Sequence, residues 1–298
     1  MQNVAAVTAH IRKKVQACGG DAARCTLAVV LTDEGAPLCR DSGGDCWRMY
    51  EYVEGTVALD RVETPAMFEA CGEAFGRFQQ QLADFPADSL HTVIPNFHNT
   101  PLRYETFIRS VERDAAGRAR AVEKEIAFVR ERAEFMQTRE RAYAEGRLPL
   151  RVTHNDTKLN NILFDAKDGS PVCVIDLDTV MPGYSVNDFG DAIRFGANTA
   201  AEDETDLSRV SLDIELYRRY ADGFRRGFGD AMTPDELALM PIGARMMTLE
   251  CGMRFLADYL DGDVYFRIHR PDHNLDRARC QFALVADMER KAELMRLD

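Results

Sequence analysis

Four polar residues within one short stretch have the types and spacing that phosphoryl transfer requires: His154, Asp156, Lys158 and Asn161. The carboxylate of Asp156 can accept the proton of an attacking hydroxyl, and an amide oxygen five residues later can reach a metal ion. Lys158 can offer its ammonium group to the transferring phosphoryl group. We interpret His154 as a brace for this loop and not as a reacting group.

A second acidic site follows at the end of an apolar strand. Val172–Ile175 leads directly into Asp176, twenty residues after Asp156, and Asp178 lies beside it. A carboxylate at a strand end, opposite a loop that carries an amide and another carboxylate, is how kinases hold magnesium between phosphates. The sequence therefore predicts a metal site on Asn161 and Asp176, with Asp178 either a second metal contact or a turn former.

The tripeptide Asp188-Phe189-Gly190 spells a protein-kinase magnesium motif but lies 32 residues after Asp156, behind a loop that contains glycine and proline. We therefore assign the metal to Asp176. Asp188 and Asp191 are predicted to cap the next helix and to tie down the active-site loops. The alternative interpretations are ordinary turn residues for Asp156 and Asn161, and a solvated side chain for Lys158.

Hydrophobic periodicity predicts the elements that position these residues. Strands are expected over 26–31 and 46–53, as an antiparallel pair around a polar turn at 41–45, and over 148–153, 162–164 and 172–175. Helices are expected over 2–18, 64–83, 102–116, 119–144, 188–196, 212–228, 234–261 and 272–295. A small sheet-containing part followed by a large helical part predicts an α+β fold with segregated layers.

Bulk properties exclude several classes of function. The 298 residues carry a net charge of −12, which argues against a nucleic-acid surface. No apolar run approaches the ~20 residues that span a bilayer, and Ile11-Arg12-Lys13-Lys14 falls where the apolar region of a signal peptide should begin. The eight cysteines form no C-x-x-C pair, so we expect free thiols and a cytoplasmic protein.

Several runs along the chain closely resemble the N-acetylhexosamine 1-kinases, which belong to the aminoglycoside phosphotransferase and choline kinase class. The runs that carry the resemblance are Trp47–Tyr50, Pro95–Pro101, Thr153–Asn161, Val174–Gly183, Asp188–Arg194, Arg254–Leu260, Asp263–Phe266 and Arg270–Leu275. They extend over nearly the whole chain and are more specific than a general kinase motif.

This resemblance implies ATP and Mg2+ as co-substrate and metal, and the anomeric hydroxyl of N-acetylglucosamine or N-acetylgalactosamine as acceptor. By resemblance, Asp156 is the base, and Asn161 and Asp176 hold the metal. Arg254 and Tyr265 match positions that contact the sugar. The strand Trp47–Val53 matches the connection between lobes, which implies adenine contacts at Met49, Tyr50 and Tyr52.

The implied fold is a protein-kinase-like two-lobe fold. We expect residues 1–54 to form a partial nucleotide lobe without its first strands and glycine-rich loop, and residues 55–298 to form a helical catalytic and substrate lobe. Two interpretations follow: a sugar 1-kinase, or a truncated relative that binds sugar without transferring phosphate. A kinase of choline, homoserine or an aminoglycoside is the rival enzyme, because fold analogy does not separate these acceptors.

Overall fold

The structure is a computed structural model that describes residues 1–297. Its helices are α1 (Gln2–Ala17), α2 (Ala22–Cys25), α3 (Pro65–Gln81), α4 (Thr100–Arg113), α5 (Glu123–Arg130), α6 (Thr138–Ala144), α7 (Ser185–Gly196), α8 (Ile214–Phe228), α9 (Pro234–Asp261) and α10 (His273–Arg290). Among these described residues, no helix combines the length and the apolar character needed to cross a membrane. All eight cysteines are free thiols, as expected.

The strands are short and pair antiparallel. They are β1 (Val29–Val30), β2 (Cys39–Arg40), β3 (Cys46–Trp47), β4 (Met49–Tyr50), β5 (Thr56–Ala58), β6 (Arg151–Thr153), β7 (Ile162–Asp165), β8 (Pro171–Val174) and β9 (Met181–Gly183). Their pairings are β1 with β4, β2 with β3, β5 with β7 and β8, and β6 with β9. Small sheets beside extensive helix confirm the α+β expectation.

The chain forms two compact units. The first unit contains residues 1–94, 150–188 and 218–233, and the second contains residues 95–149, 189–217 and 234–298. The predicted division at residue 54 lies inside the first unit and stays a prediction about lobe function.

The first unit is built on the amphipathic face of α1. Val4, Val7, Ile11 and Val15 recur every three or four residues and are buried. They belong to one apolar cluster with residues of α3, β6 and β8, including Phe78. The expected helix over 2–18 is therefore confirmed, and its apolar stripe supports the strands on either side of the predicted catalytic loop.

Helix α3 begins as its sequence predicts. The Thr64 hydroxyl accepts a hydrogen bond from the Met67 backbone N–H at 3.2 Å, and Pro65 occupies the first helical position. Within the first unit α3 packs closely against residues 218–228 of α8. A Cβ at Gly72 would collide with the backbone oxygen of Tyr220, and a Cβ at Gly223 would collide with that of Glu69.

The second unit is centred on α9 and α10, which pack side chains such as Leu256 and Phe282 into one core with α4 and α5. The boundaries predicted for α9 are confirmed. The single helix expected over 119–144 is wrong, because α5 ends at Arg130 and α6 starts at Thr138. At the break, Arg132 donates two hydrogen bonds to Glu289 of α10, at 3.0 and 2.7 Å. This tertiary contact leaves no trace in helical periodicity.

One strand expectation needs correction, and one strand was not predicted. The turn over 41–45 does not join the two predicted strands; it closes the separate β2–β3 hairpin. Val29 and Val30 of β1 do pair with Tyr50 and Met49 of β4, which confirms that pairing. The strand β9, which pairs with β6 beside the predicted catalytic loop, was not expected because its sequence is Met-Pro-Gly.

Candidate active site

Residues 154–161, the candidate catalytic loop, connect β6 to β7 in the first unit. Asn155 has a φ of 66°, a left-handed conformation that asparagine tolerates better than most residues. A 3-10 turn at Leu159–Asn161 leads into β7. The loop is thus fixed at each end by a strand.

Asp188 holds this loop by its backbone. Its carboxylate accepts hydrogen bonds from the N–H groups of His154 and Asn155 at 2.9 and 2.8 Å, and from the Gln79 side chain at 2.8 Å. The Thr157 hydroxyl donates to the Asp188 carbonyl at 2.5 Å. Asp188 is only 1% exposed and lies in the first turn inside α7, not ahead of the helix as a cap would.

The His154 ring is part of the same scaffold. Its Nδ1 accepts from the Asp156 backbone N–H at 3.2 Å, so Nε2 carries the proton and donates to the Ile175 carbonyl at 2.8 Å. The ring also packs edge-on against Phe75, with centroids 5.6 Å apart. His154 is buried and links the candidate catalytic loop to the end of β8.

Asp156 is the accessible acid of the loop, with 26% of its side chain exposed. Lys158 Nζ lies 2.7 Å from one carboxylate oxygen and 3.1 Å from the other. The Asn161 amide donates to the Asp156 carbonyl at 2.7 Å and to its carboxylate at 3.2 Å. Because the Asn161 nitrogen faces Asp156, its side-chain oxygen is left for another ligand.

Asp176 lies next to this group. The Ile175 N–H donates to the Asn161 carbonyl at 2.9 Å, which fixes the loop against the residue before Asp176. Asp176 is exposed and has a φ of 57°. The structure therefore brings Asp156, Lys158, Asn161 and Asp176 to one locality, through backbone bonds that join the loop to the end of β8.

Asp178 is engaged differently, because its carboxylate pairs with the guanidinium of Arg48. Arg48 also lies over the Tyr50 ring, 5.2 Å from its centroid. Sequence reasoning missed Arg48 as a partner of Asp178. Arg48 could have been found as a candidate site residue, because it lies in the run Trp47–Tyr50 that carries part of the family resemblance.

The oxygen ligands suit magnesium. Among residues 1–297 no group of three or more histidine, cysteine or acidic side chains converges on a metal position. Mg2+ needs no such group, since it commonly binds through one or two carboxylates together with substrate phosphates and waters. The amide oxygen of Asn161 and the carboxylate of Asp176 are ligands of the type that this ion prefers.

The residues expected to meet adenine lie on and after β4. Met49 and Tyr52 are strongly exposed, at 66% and 82%, and Tyr50 is half-buried. Burial raises the pKa of Tyr50, against the lowering effect of the Arg48 charge. The Glu51 N–H donates to the Ala28 carbonyl at 2.9 Å, which extends the β1–β4 pairing to the start of the connection.

Arg254 and Tyr265 lie together in the second unit, beside a cavity of about 190 Å³. The Arg254 guanidinium carbon is 6.0 Å from the Tyr265 ring centroid, 5.4 Å from that of Phe266 and 5.7 Å from that of Phe97. In the part of the chain that the structure describes, Arg254 forms no ion pair with a carboxylate. Tyr265 is 72% exposed.

Asp191 was expected to act with Asp188, but the structure gives it another partner. It accepts two hydrogen bonds from Arg194 at 3.1 and 2.9 Å, and Arg194 also bonds Glu202 at 2.7 Å. This network lies in the second unit and is largely buried.

Comparison with solved structures shows that the fold is that of small-molecule kinases. An aminopropanol kinase associated with a microcompartment superposes with a TM-score of 0.62 at 17% identity, covering 97% of this chain and 82% of its own. An aminoglycoside phosphotransferase from Alicyclobacillus acidocaldarius gives 0.60 at 15% identity, covering 96% and 84%. An amicoumacin kinase in complex with AMP-PNP, Ca2+ and Ami gives 0.58 at 15% identity, covering 99% and 80%.

A family model agrees with the fold. The model of the phosphotransferase enzyme family, APH, matches residues 15–230, which include the candidate catalytic loop and Asp176. The chain therefore belongs to the phosphotransferase enzyme family.

Proposed function

We propose that this phosphotransferase is an ATP- and Mg2+-dependent kinase that phosphorylates the anomeric hydroxyl of N-acetylglucosamine or N-acetylgalactosamine, giving the sugar 1-phosphate. The observation that carries the proposal is the contact of Asp156 with both Lys158 and Asn161, together with the backbone bond between Asn161 and Ile175, the residue before Asp176. The choice of a hexosamine depends on the extended motif resemblance and on the cluster of Arg254 with Tyr265 and Phe97.

Asp156 is the base in this proposal. The Asn161 amide and the Lys158 ammonium hold the carboxylate in one orientation, and its partial exposure lets an acceptor hydroxyl approach. The carboxylate orients that hydroxyl and takes its proton as the new O–P bond forms, while the bond between the γ-phosphorus of ATP and the bridging oxygen breaks and ADP leaves. Lys158, already 2.7 Å from Asp156, supplies positive charge where the transferring group would meet the acceptor.

Asn161 and Asp176 would hold the metal, and bound Mg2+ neutralises charge on the β- and γ-phosphates. The bond between the Ile175 N–H and the Asn161 carbonyl keeps these two ligands on neighbouring backbone segments. Asp178 is the weaker third candidate, because Arg48 already compensates its charge. Met49 and Tyr50 of β4 and Tyr52 after it would offer side chains and backbone groups to adenine.

The sugar would be recognised by Arg254 and Tyr265. A guanidinium without a carboxylate partner in residues 1–297 has N–H groups to donate to sugar oxygens. The exposed Tyr265 adds a ring and a hydroxyl beside it. The Arg254 guanidinium is half-buried, so hydrogen bonds to sugar oxygens would favour binding of a polar ligand.

The test is ADP release with Mg2+ and ATP over a panel of acceptors. N-Acetylglucosamine and N-acetylgalactosamine are expected to turn over, whereas the methyl glycoside of each, which lacks a free anomeric hydroxyl, is expected to be inert. Choline, homoserine and an aminoglycoside complete the panel as rival acceptors. Turnover of a rival without turnover of either hexosamine would refute the proposed acceptor.

A further inference from the structure

Three residues on one face of α9 organise the surroundings of the proposed sugar site. Glu250, Arg254 and Asp258 are spaced four residues apart, so they follow one another along the helix surface. The two carboxylates are buried, at 1% and 5% exposure, while Arg254 between them is half-buried. Buried carboxylates are costly unless they are well paired, so the partners of each show what it fixes.

Glu250 fixes residues 95–101, which we term the 95–101 segment. One carboxylate oxygen lies 2.9 Å from His98 Nδ1, and the other accepts the Thr100 hydroxyl at 2.5 Å. Arg139 donates to the His98 carbonyl. Glu250 therefore joins α9 to a segment about 150 residues earlier in the chain.

The 95–101 segment places Phe97 next to Arg254. The Phe97 ring lies 4.3 Å from the His98 ring, and Arg103 donates two hydrogen bonds to the Phe97 carbonyl at 3.2 and 3.0 Å. The Arg254 guanidinium carbon lies 5.7 Å from the Phe97 ring centroid. Phe97 is thus held by its carbonyl and its neighbour, while its ring faces the proposed sugar-binding arginine.

Asp258 fixes the segment that carries Tyr265. Its carboxylate accepts the backbone N–H groups of Val264, Tyr265 and Phe266 at 2.9, 2.8 and 2.9 Å. The Asn274 amide adds a bond at 2.8 Å. This explains how Tyr265 can be both exposed and fixed in position.

We propose that Phe97 forms a second wall of the acceptor site, beside Arg254, and that Glu250 is the positioning residue that holds it there. The inference rests on the proposed acceptor role of Arg254. It adds a contact residue from a different segment of the chain, and a buried carboxylate that acts on the acceptor without touching it.

The experiment measures acceptor KM, ATP KM and kcat for Glu250→Gln, which keeps the size of the side chain but removes its charge. Loss of charged hydrogen bonds to His98 and Thr100 should let Phe97 move, and we expect acceptor KM to rise about tenfold. ATP KM and kcat should change by less than about twofold, since uniform acceptor binding is what is lost. Phe97→Ala should give the same pattern, and Phe97→Tyr should restore acceptor KM.

Asp287→Asn is the matched control. Asp287 is also a buried carboxylate of the second unit, and it accepts hydrogen bonds from the Leu212 N–H at 2.7 Å and the Ser211 hydroxyl at 2.9 Å. Its loss should lower the melting temperature and leave acceptor KM unchanged. If Glu250→Gln behaves like this control, Glu250 is a stability residue only and the inference is wrong.

Phe97→Ala keeps the inference testable if Glu250→Gln fails to fold, because it leaves the buried carboxylate and its partners intact. An unchanged acceptor KM in that variant would overturn the second wall. The kinetics are run with whichever acceptor of the panel turns over. If only choline or homoserine turns over and its KM rises in these variants, the hexosamine proposal is refuted and the inference is supported. If a hexosamine turns over and its KM is unchanged in these variants, the proposal is supported and the inference is refuted.

Discussion

The candidate catalytic loop and the proposed acceptor site are held by the same device but assembled differently. In the loop, buried Asp188 accepts two backbone N–H groups; in the acceptor site, buried Asp258 accepts three. The reacting groups of the loop are neighbours in sequence, whereas Phe97 comes from a part of the chain far from Arg254 and Tyr265. The residues proposed for transfer are therefore encoded locally and those proposed for recognition are not, so mutations in the two regions should affect different kinetic constants.

The largest effect is expected from Asp156→Asn. The change keeps the shape of the side chain but removes the proton acceptor and the charge that Lys158 faces. General-base catalysis contributes on the order of 10²–10⁴-fold, so kcat should fall by that amount. Acceptor binding, measured by calorimetry, should survive because recognition lies elsewhere. Turnover close to wild type would contradict the assignment of the base.

Variants of Asp188 and Asp176 should distinguish a structural role from a role in phosphoryl transfer. Asp188→Asn loses an acceptor that is buried against the His154 and Asn155 N–H groups, so we expect the free energy of unfolding to fall by about 1–3 kcal/mol. Asp176 is exposed, and Asp176→Asn should leave the melting temperature nearly unchanged. It should instead abolish transfer at ordinary magnesium concentrations.

The measurements for this pair are thermal unfolding and the dependence of rate on magnesium concentration. A variant of Asp188 with normal stability and a raised magnesium requirement would show that the metal assignment is reversed. The Asp178→Asn variant is the comparison within the same turn, and it should have a smaller effect on the magnesium requirement because Arg48 already pairs with that carboxylate.

The stability of the fold should depend on pH through Glu250, the buried carboxylate behind the proposed acceptor site. Burial alone would raise the pKa of Glu250, but the His98 hydrogen bond and charge, the Arg139 charge and the Thr100 hydrogen bond lower it from 4.5 to about 2. A group whose pKa is lower in the folded state stabilises the fold above its unfolded pKa and loses that contribution as the pH falls below it. Between pH 7 and pH 3 this loss is about 2 kcal/mol.

The measurement is urea unfolding of wild type and Glu250→Gln at both pH values. The variant should be less stable than wild type at pH 7. This difference in the free energy of unfolding should be smaller at pH 3, because wild type loses the contribution of the Glu250 charge and glutamine has no charge to lose. If the difference in the free energy of unfolding were the same at both pH values, Glu250 would not be ionised in the folded protein.

Local patterns in the sequence predicted the position of the candidate catalytic loop and most helices, because a contiguous motif and an amphipathic period both depend on residues that are close together in the sequence. The boundaries of α9 and the antiparallel pairing of β1 with β4 are confirmed. Long-range partners were not predictable in this way. The Arg48–Asp178 pair, the β9 strand and the contact of Glu250 with His98 join residues that are far apart in the sequence. Between α5 and α6, Arg132 likewise pairs with Glu289 of α10, a contact that local periodicity does not reveal.

The side chains of the proposed acceptor site test recognition most directly, and the smallest effect of all is expected from Tyr265→Phe. Arg254→Ala removes a guanidinium with no carboxylate partner in residues 1–297, so acceptor KM should rise by about 5- to 150-fold, equivalent to about 1–3 kcal/mol. Tyr265→Phe removes one exposed hydroxyl and should raise acceptor KM only about two- to tenfold.

Neither change should alter ATP KM, because both residues belong to the second unit and the proposed adenine contacts to the first. Since Tyr265 is 72% exposed, its phenylalanine variant should also unfold at the wild-type temperature. An increase in ATP KM with an unchanged acceptor KM in either variant would show that these side chains recognise the nucleotide, and the two regions would then no longer divide transfer from recognition.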